Sequence, residues 1–148
     1  MKRFYSLRLL LLVGLVAAGC ILFAMVRSAP EAPNVLLITL DTTRADRIGC
    51  YGADSARTPV LDRLAAEGVL FERCYTPVPL TLPSHATMLT GLYPPEHGLR
   101  INAQKSLDPA IPTLAEQFQQ QGYGTGAFIA SYVLNSTFGL SRGFMHYD

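Results

Sequence analysis

The sequence has little cysteine and little charge. Three cysteines, Cys20, Cys50 and Cys74, are too few for a disulfide framework. Cys50 and Cys74 read as ordinary half-buried thiols, and Cys20 lies in an apolar N-terminal stretch. Charged residues make up 16% of the chain against 49% hydrophobic, which excludes a disordered chain and points to a globular body with an apolar appendage. Acid is missing from residues 1–30, which hold Lys2, Arg3, Arg8 and Arg27. Residues 31–148 carry eight basic and eleven acidic residues, a net charge of −3. So mild an acidity leaves no electrostatic footprint for nucleic acid, and no nucleic-acid partner is expected. There is neither an internal repeat nor a low-complexity tract. At 148 residues there is room for one domain at most.

The apolar appendage comes first. Residues 1–8 form a basic flank, and residues 9–26 are eighteen apolar or small residues closed by Arg27. As a helix they span about 27 Å, roughly a hydrocarbon core. The segment reads as a transmembrane signal anchor. The cationic flank stays cytoplasmic, which places the body on the extracytoplasmic side of the cytoplasmic membrane, held by a single pass. Two processed forms remain open: a signal-peptidase site at Ala17-Ala18-Gly19, and a weak lipobox ending at Cys20. Against both, Ile21 to Val26 prolong the apolar run. Residues 27–33 are a short linker containing proline.

The body alternates between two periodicities. Residues 34–40 are a continuous apolar, β-branched run that suits a strand buried on both faces of a parallel sheet. The run ends at Asp41, and open α/β sheets bind ligands at the carboxyl ends of their strands. Thr58-Pro59 reads as an N-cap with proline at the first helical position, opening a helix that Gly68 closes. Residues 69–75 and 124–130 read as further strands. Residues 113–121 read as an amphipathic helix stopped by Gly122, and residues 91–112 as largely loop. This predicts an α/β fold with a mainly parallel sheet flanked by helices.

The stretch Thr81-Leu-Pro-Ser-His-Ala-Thr-Met-Leu-Thr-Gly91 places a hydroxyl at the start of a short apolar helix fixed by Pro83. Free N–H groups and the positive end of the helix dipole favour an alkoxide there, and any anion it attacks. The competing reading of Thr81 is a helix cap. His85, four residues on, either neighbours the nucleophile or is a satisfied helix histidine. His97, before Gly98, reads as fixing its loop by hydrogen bonds rather than as a ligand. Arg44 and Asp46 read as a pair shaping the loop after Asp41, and Tyr51 and Tyr93 as packing.

Three blocks carry a family resemblance. They are Asn34-Val-Leu-Leu-Ile-Thr-Leu-Asp-Thr-Thr-Arg-Ala-Asp46 with Gly49-Cys-Tyr-Gly52, then Thr58-Pro-Val-Leu-Asp-Arg-Leu-Ala-Ala-Glu-Gly68, then Thr81 through Asn102. In order and spacing they resemble the N-terminal portion of the sulfatase and alkaline-phosphatase superfamily, over residues 34–148. The resemblance implies an alkaline-phosphatase-like fold, incomplete here. It implies that Asp41 binds a divalent metal, that Thr81 is the metal-bound nucleophile, and that Asn102 holds a substrate oxygen with His85 beside it. The metal expected is zinc first, with calcium, manganese or magnesium as alternatives. The substrate expected is a small anionic ester.

Two positions depart from the sulfatase pattern. Sulfatases carry Cys or Ser where this chain has Thr81, and Arg where it has His85. No formylglycine is expected at Thr81. The Thr-x-Pro-x-His pattern looks closest to the nucleotide pyrophosphatase/phosphodiesterase branch, so phosphoesters are favoured over sulfate. Thr42 also stands where sulfatases commonly have a second Asp. The superfamily's downstream Asp/His ligands are not recognisable here. The chain therefore reads as part of a membrane-anchored hydrolase. The alternatives are a phosphoethanolamine-type transferase or an inactive truncated fragment.

Overall fold

The structure, a computed structural model, describes residues 32–148. The basic flank, the expected anchor at 9–26 and most of the linker lie outside the described residues. The chain divides into two units, one ending at Thr39 and the other running Leu40–Asp148. Among the described residues no helix is long and apolar enough to cross a membrane.

The helices form where local signals place them. α1 runs Pro59–Glu67, with Pro59 at its first position and Gly68 as its C-cap. Thr58 does not cap it by side chain. Its Oγ1 instead accepts from Gly49 N (2.8 Å) and donates to Asp62 (3.1 Å). Asp62 also accepts from Cys50 N at 2.7 Å, so the start of α1 grips the 3₁₀ turn Gly49–Tyr51. α2 runs Thr81–Thr90 and ends on Gly91, whose φ of 72° suits glycine alone without strain. α3, Pro94–His97, is a single turn inside the stretch expected to be loop. Two prolines at its start and Glu96 accepting from Tyr93 N make it possible. α4, Leu114–Gln120, has a reciprocal box: Glu116 N donates to Thr113 Oγ1, and Thr113 N to Glu116 Oε2.

The strands are fewer than expected. β1 (Gly126–Ala127) pairs in parallel with β2 (His146–Tyr147), with Gly126 opposite His146 and Ala127 opposite Tyr147. This is the expected parallel arrangement in miniature, with β1 inside the expected strand 124–130 and β2 outside every expected strand. Residues 34–40 and 69–75 are not strands among the described residues. Their side chains lie open: Leu36 is 83% exposed and Val69 79%. A strand needs a neighbour to take its N–H and C=O groups, and apolar composition alone cannot supply one. Tyr93 is exposed rather than packed, and the Tyr51 hydroxyl donates to the Phe71 carbonyl. Cys50 and Cys74 are free thiols, half-buried and exposed respectively.

One apolar core lies under α2. Leu82, Ala86, Leu99, Leu107, Leu134 and Leu140 form it, with Leu89 and Ile111 packed against them. Leu82, Ala86 and Leu89 share one helical face at i, i+4 and i+7. Full burial of each leucine contributes roughly 2 kcal/mol. Arg142 closes the far side of the core, donating to the carbonyls of Ile111 (2.6 Å) and Pro109 (2.8 Å). Next to it, Gly143 lies so close to the Glu116 backbone that a Cβ would overlap it.

Residues 32–148 produced alone are expected to bind a hydrophobic dye and to melt without a sharp transition. Val35, Leu36, Ile38, Val69, Phe71 and Phe128 all stand more than half exposed. A calorimetric endotherm with equal calorimetric and van't Hoff enthalpies would contradict this.

Candidate active site

The inward face of α2 fixes what its outward face presents. With Leu82, Ala86 and Leu89 in the core, Thr81, His85 and Met88 fall on the neighbouring stripe. Thr81 is the first residue of the helix and Leu80 its N-cap, so Thr81 is not itself the cap. Its hydroxyl does something else: Oγ1 donates to Asp41 Oδ2 at 3.0 Å, across forty residues of chain.

Asp41 sits in a turn drawn tight by its neighbours. Thr43 N donates to the Leu40 carbonyl, and Arg44 makes a two-point pair with Asp46 at 2.8 and 2.6 Å. That is the loop-shaping pair expected; the guanidinium lowers the pKa of Asp46, and both groups are open to screening by salt. Between them Thr42 holds φ at 59°. A β-branched residue in the left-handed region stores about 1–3 kcal/mol.

Asn102 and His85 meet the same turn of helix from other sides. Asn102 Oδ1 accepts from Leu82 N at 2.9 Å, satisfying a donor that the helix start leaves open. Ala103, just after it, also has positive φ, 56°. His85 Nδ1 lies 2.8 Å from the Thr81 carbonyl, and since a carbonyl only accepts, Nδ1 carries the hydrogen. Ser84 Oγ donates to that same carbonyl at 3.0 Å. Ser84 escaped the sequence reading, although its spacing of three from Thr81 puts it within reach on a helix.

The four residues singled out in the sequence thus converge on the first turns of α2. Thr81 and Asp41 touch directly. Asn102 binds the backbone of the next residue, and His85 the carbonyl of Thr81 itself. The pair of oxygens on Asp41 and Thr81 is hard, and its chemistry fits a divalent cation. It supplies two donors; among the described residues no three of His, Cys, Asp and Glu cluster to complete a site. A cavity of about 190 Å³ lined by Leu40, Thr43, Ile48 and Phe71 lies beside the Asp41 turn, but neither Asp41 nor Thr81 lines it.

His97 lies beneath this site at 3% exposure. Leu99 N donates to its Nδ1 at 3.1 Å, so the hydrogen is on Nε2, which faces Thr87 Oγ1 at 3.1 Å. Burial lowers its pKa from the ordinary value of 6.5.

A hydroxyl at the start of a helix is thus held against a carboxylate from a turn forty residues earlier. The relatives place this chain. The sulfatase family model matches residues 33–147, and the chain belongs to the sulfatase family. Steryl-sulfatase of Mus musculus is 36% identical over 129 residues, covering 80% of this chain and 20% of the relative. The phosphonate monoester hydrolase of Agrobacterium radiobacter superposes with a TM-score of 0.66 at 31% identity, covering 78% of this chain and 25% of that one. A structure solved with its substrate D-glucosamine-2-N,6-O-disulfate gives a TM-score of 0.69 at 33% identity, over 79% of this chain and 23% of that one. The chain spans only 20–25% of the length of these proteins.

A lowered His97 pKa has a definite consequence for stability. The unfolded chain takes up the proton first, so the stability held by the neutral ring is present above 6.5 and is lost as pH falls through the lower folded-state value. The thermal midpoint of the full-length protein, followed from about pH 8 to about pH 5, should fall more steeply for wild type than for His97→Gln. Parallel curves for the two would refute this.

Proposed function

We propose that this chain carries the nucleophile half of a metal-dependent ester hydrolase, with phosphorus esters preferred to sulfate esters. The observation that carries the reading is the Thr81 Oγ1–Asp41 Oδ2 hydrogen bond. It joins a nucleophile and an acid at a helix start, where negative charge is stabilised.

In this reading Asp41 orients the Thr81 hydroxyl and receives its hydrogen bond. The Oγ1–phosphorus bond forms as the Thr81 proton passes to solvent water, the bond from phosphorus to the leaving alkoxide breaks, and the alkoxide takes a proton from water. A second water then cleaves the Oγ1–phosphorus ester, which restores Thr81 and releases the acid. A divalent cation held by Asp41 and Thr81 would lower the hydroxyl pKa and shield the charge of the transferring group. Asn102 keeps its amide NH₂ to donate to a substrate oxygen, its carbonyl oxygen being taken by Leu82 N. His85 adds a substrate contact next to the nucleophile.

The preference for phosphorus follows from Thr81. A threonine is a secondary alcohol, and its oxidation gives a ketone rather than the aldehyde that the sulfatase pattern requires. Sulfate turnover would then depend on a plain alkoxide. The phosphonate monoester hydrolase among the structural relatives supports phosphorus chemistry on this fold. The basic residues Lys2, Arg3 and Arg8 before the apolar run 9–26 support a membrane-held body on the extracytoplasmic side.

In the full-length protein Thr81→Ala and Asp41→Asn are each expected to lower phosphodiester hydrolysis on the order of 10³-fold or more, the second by weakening metal binding. Asn102→Ala is expected to lower it roughly 10²-fold, as loss of one oxyanion donor does. Nitrophenyl phosphodiester, phosphomonoester and sulfate assayed side by side should rank sulfate last. Dominant sulfate turnover with Thr81 unmodified by mass would overturn the preference, and full activity in Thr81→Ala would overturn the mechanism.

A reporter fused after Asp148 should be protease-accessible in spheroplasts and should sediment with membranes. Recovery of the reporter from the soluble cytoplasm would end the anchored reading.

A further inference from the structure

Two tethers join α2 to the loop after α3. The first is the Asn102–Leu82 bond at the helix start. The second is His97, whose ring spans from Leu99 N in the loop to Thr87 Oγ1 on the helix, 3.1 Å on each side. Leu82 and Thr87 are five residues apart, about 7.5 Å along the helix axis. A single tether leaves a helix able to turn about it. Two tethers at that separation fix both rotation and axial position. Leu99 is wholly buried in the same core as Leu82, so the loop is pinned from below as well. Asn102 follows Leu99 by three residues, and Thr81 precedes Thr87 by six. The ring of His97 is thus a second link, beside the Asn102–Leu82 bond, between the segment carrying Thr81 and the segment carrying Asn102.

We propose that His97 is a positioning residue for the Thr81 reaction, holding α2 and the Asn102 loop in the register that keeps the Thr81 hydroxyl and the Asn102 amide together. This rests on Thr81 being the nucleophile. His97 itself touches neither Thr81 nor Asn102 in any hydrogen bond among the described residues. Its effect reaches the site through Thr87, the Pro83 backbone and Leu99. The network imposes one tautomer: Nδ1 accepts and Nε2 donates. Each half of the link can therefore be removed separately. Thr87→Val deletes the helix-side hydroxyl at nearly constant volume while leaving the Pro83 carbonyl, and Thr87→Ser keeps it. His97→Asn keeps an acceptor for Leu99 N and loses the reach to Thr87.

The test uses the full-length enzyme with a nitrophenyl phosphodiester, and kcat normalised to the folded fraction measured by circular dichroism. Thr87→Val and His97→Asn should each lower kcat roughly 10- to 100-fold, as a displacement of about 1 Å at a nucleophile does. KM should stay within about twofold, because the loss falls on the transition state. Thr87→Ser should recover nearly all of kcat. The double variant should lose no more than His97→Asn alone, since Thr87→Val cuts one part of the same link. A histidine that only supported folding would lower the melting temperature and leave kcat of the folded molecules unchanged; that result in both Thr87→Val and His97→Asn overturns the proposal. Thr81→Ala in the same series separates the two claims. Activity surviving there overturns the nucleophile, whereas unchanged kcat in the tether variants, with Thr81→Ala inactive, overturns the positioning role alone.

Discussion

The hydrogen bond from Thr81 to Asp41 closes forty residues of chain, and the other features of the site serve to make that closure affordable. A hydroxyl–carboxylate bond contributes about 1.5–3 kcal/mol at best, and a loop of that length works against it entropically. The bond holds because both ends are already fixed. On one side Leu82 and Ala86 are driven into the core, and Thr81 follows as the next residue on a rigid helix. On the other side Asp41 lies in a turn closed by Thr43 N on the Leu40 carbonyl, and the 3₁₀ segment further along is held by Asp62 and Thr58 at the α1 start.

The strain in the molecule lies where these supports converge. Thr42 and Ala103 are the two described non-glycine residues with positive φ, and they directly follow Asp41 and Asn102. Backbone in the left-handed region costs free energy that surrounding contacts must offset. At Thr42 the contacts are local, through Thr43, Arg44 and Asp46. At Ala103 they include the bond from Leu82 N to the preceding asparagine. Both turns follow a polar side chain that bonds the start of α2.

Membership of the sulfatase family fixes the scaffold more firmly than the chemistry. In the proposed reading one residue at the helix start decides which nucleophile the scaffold offers, and Thr81 is the residue that stands there. Function resides in such substitutions more than in the fold that carries them. The shape similarity to both a phosphonate monoester hydrolase and a protein bound to a sulfated sugar shows how much chemistry one arrangement of helix and turn accommodates.

The sequence determined what is local. Pro59, Gly68, Gly91 and the Thr113–Glu116 pair are punctuation marks whose physics acts within a few residues, so α1, α2 and α4 stand where they were read, within a residue or two, and the single turn α3 was missed. The helix Thr81–Thr90 was legible for the same reason, as was the loop-fixing part of His97. Of the strands, only part of 124–130 was. Residues 34–40 and 69–75 have strand composition, but a ladder needs a second chain segment at the right distance, and composition does not say where that segment is. Only the tertiary structure showed that Thr81 donates to Asp41 rather than capping its own helix, that Asn102 Oδ1 faces Leu82 N, and that His97 reaches across to Thr87. Each of these joins residues ten to forty positions apart. Such contacts depend on which apolar faces meet in the core, a property of the whole packed chain that no single stretch encodes.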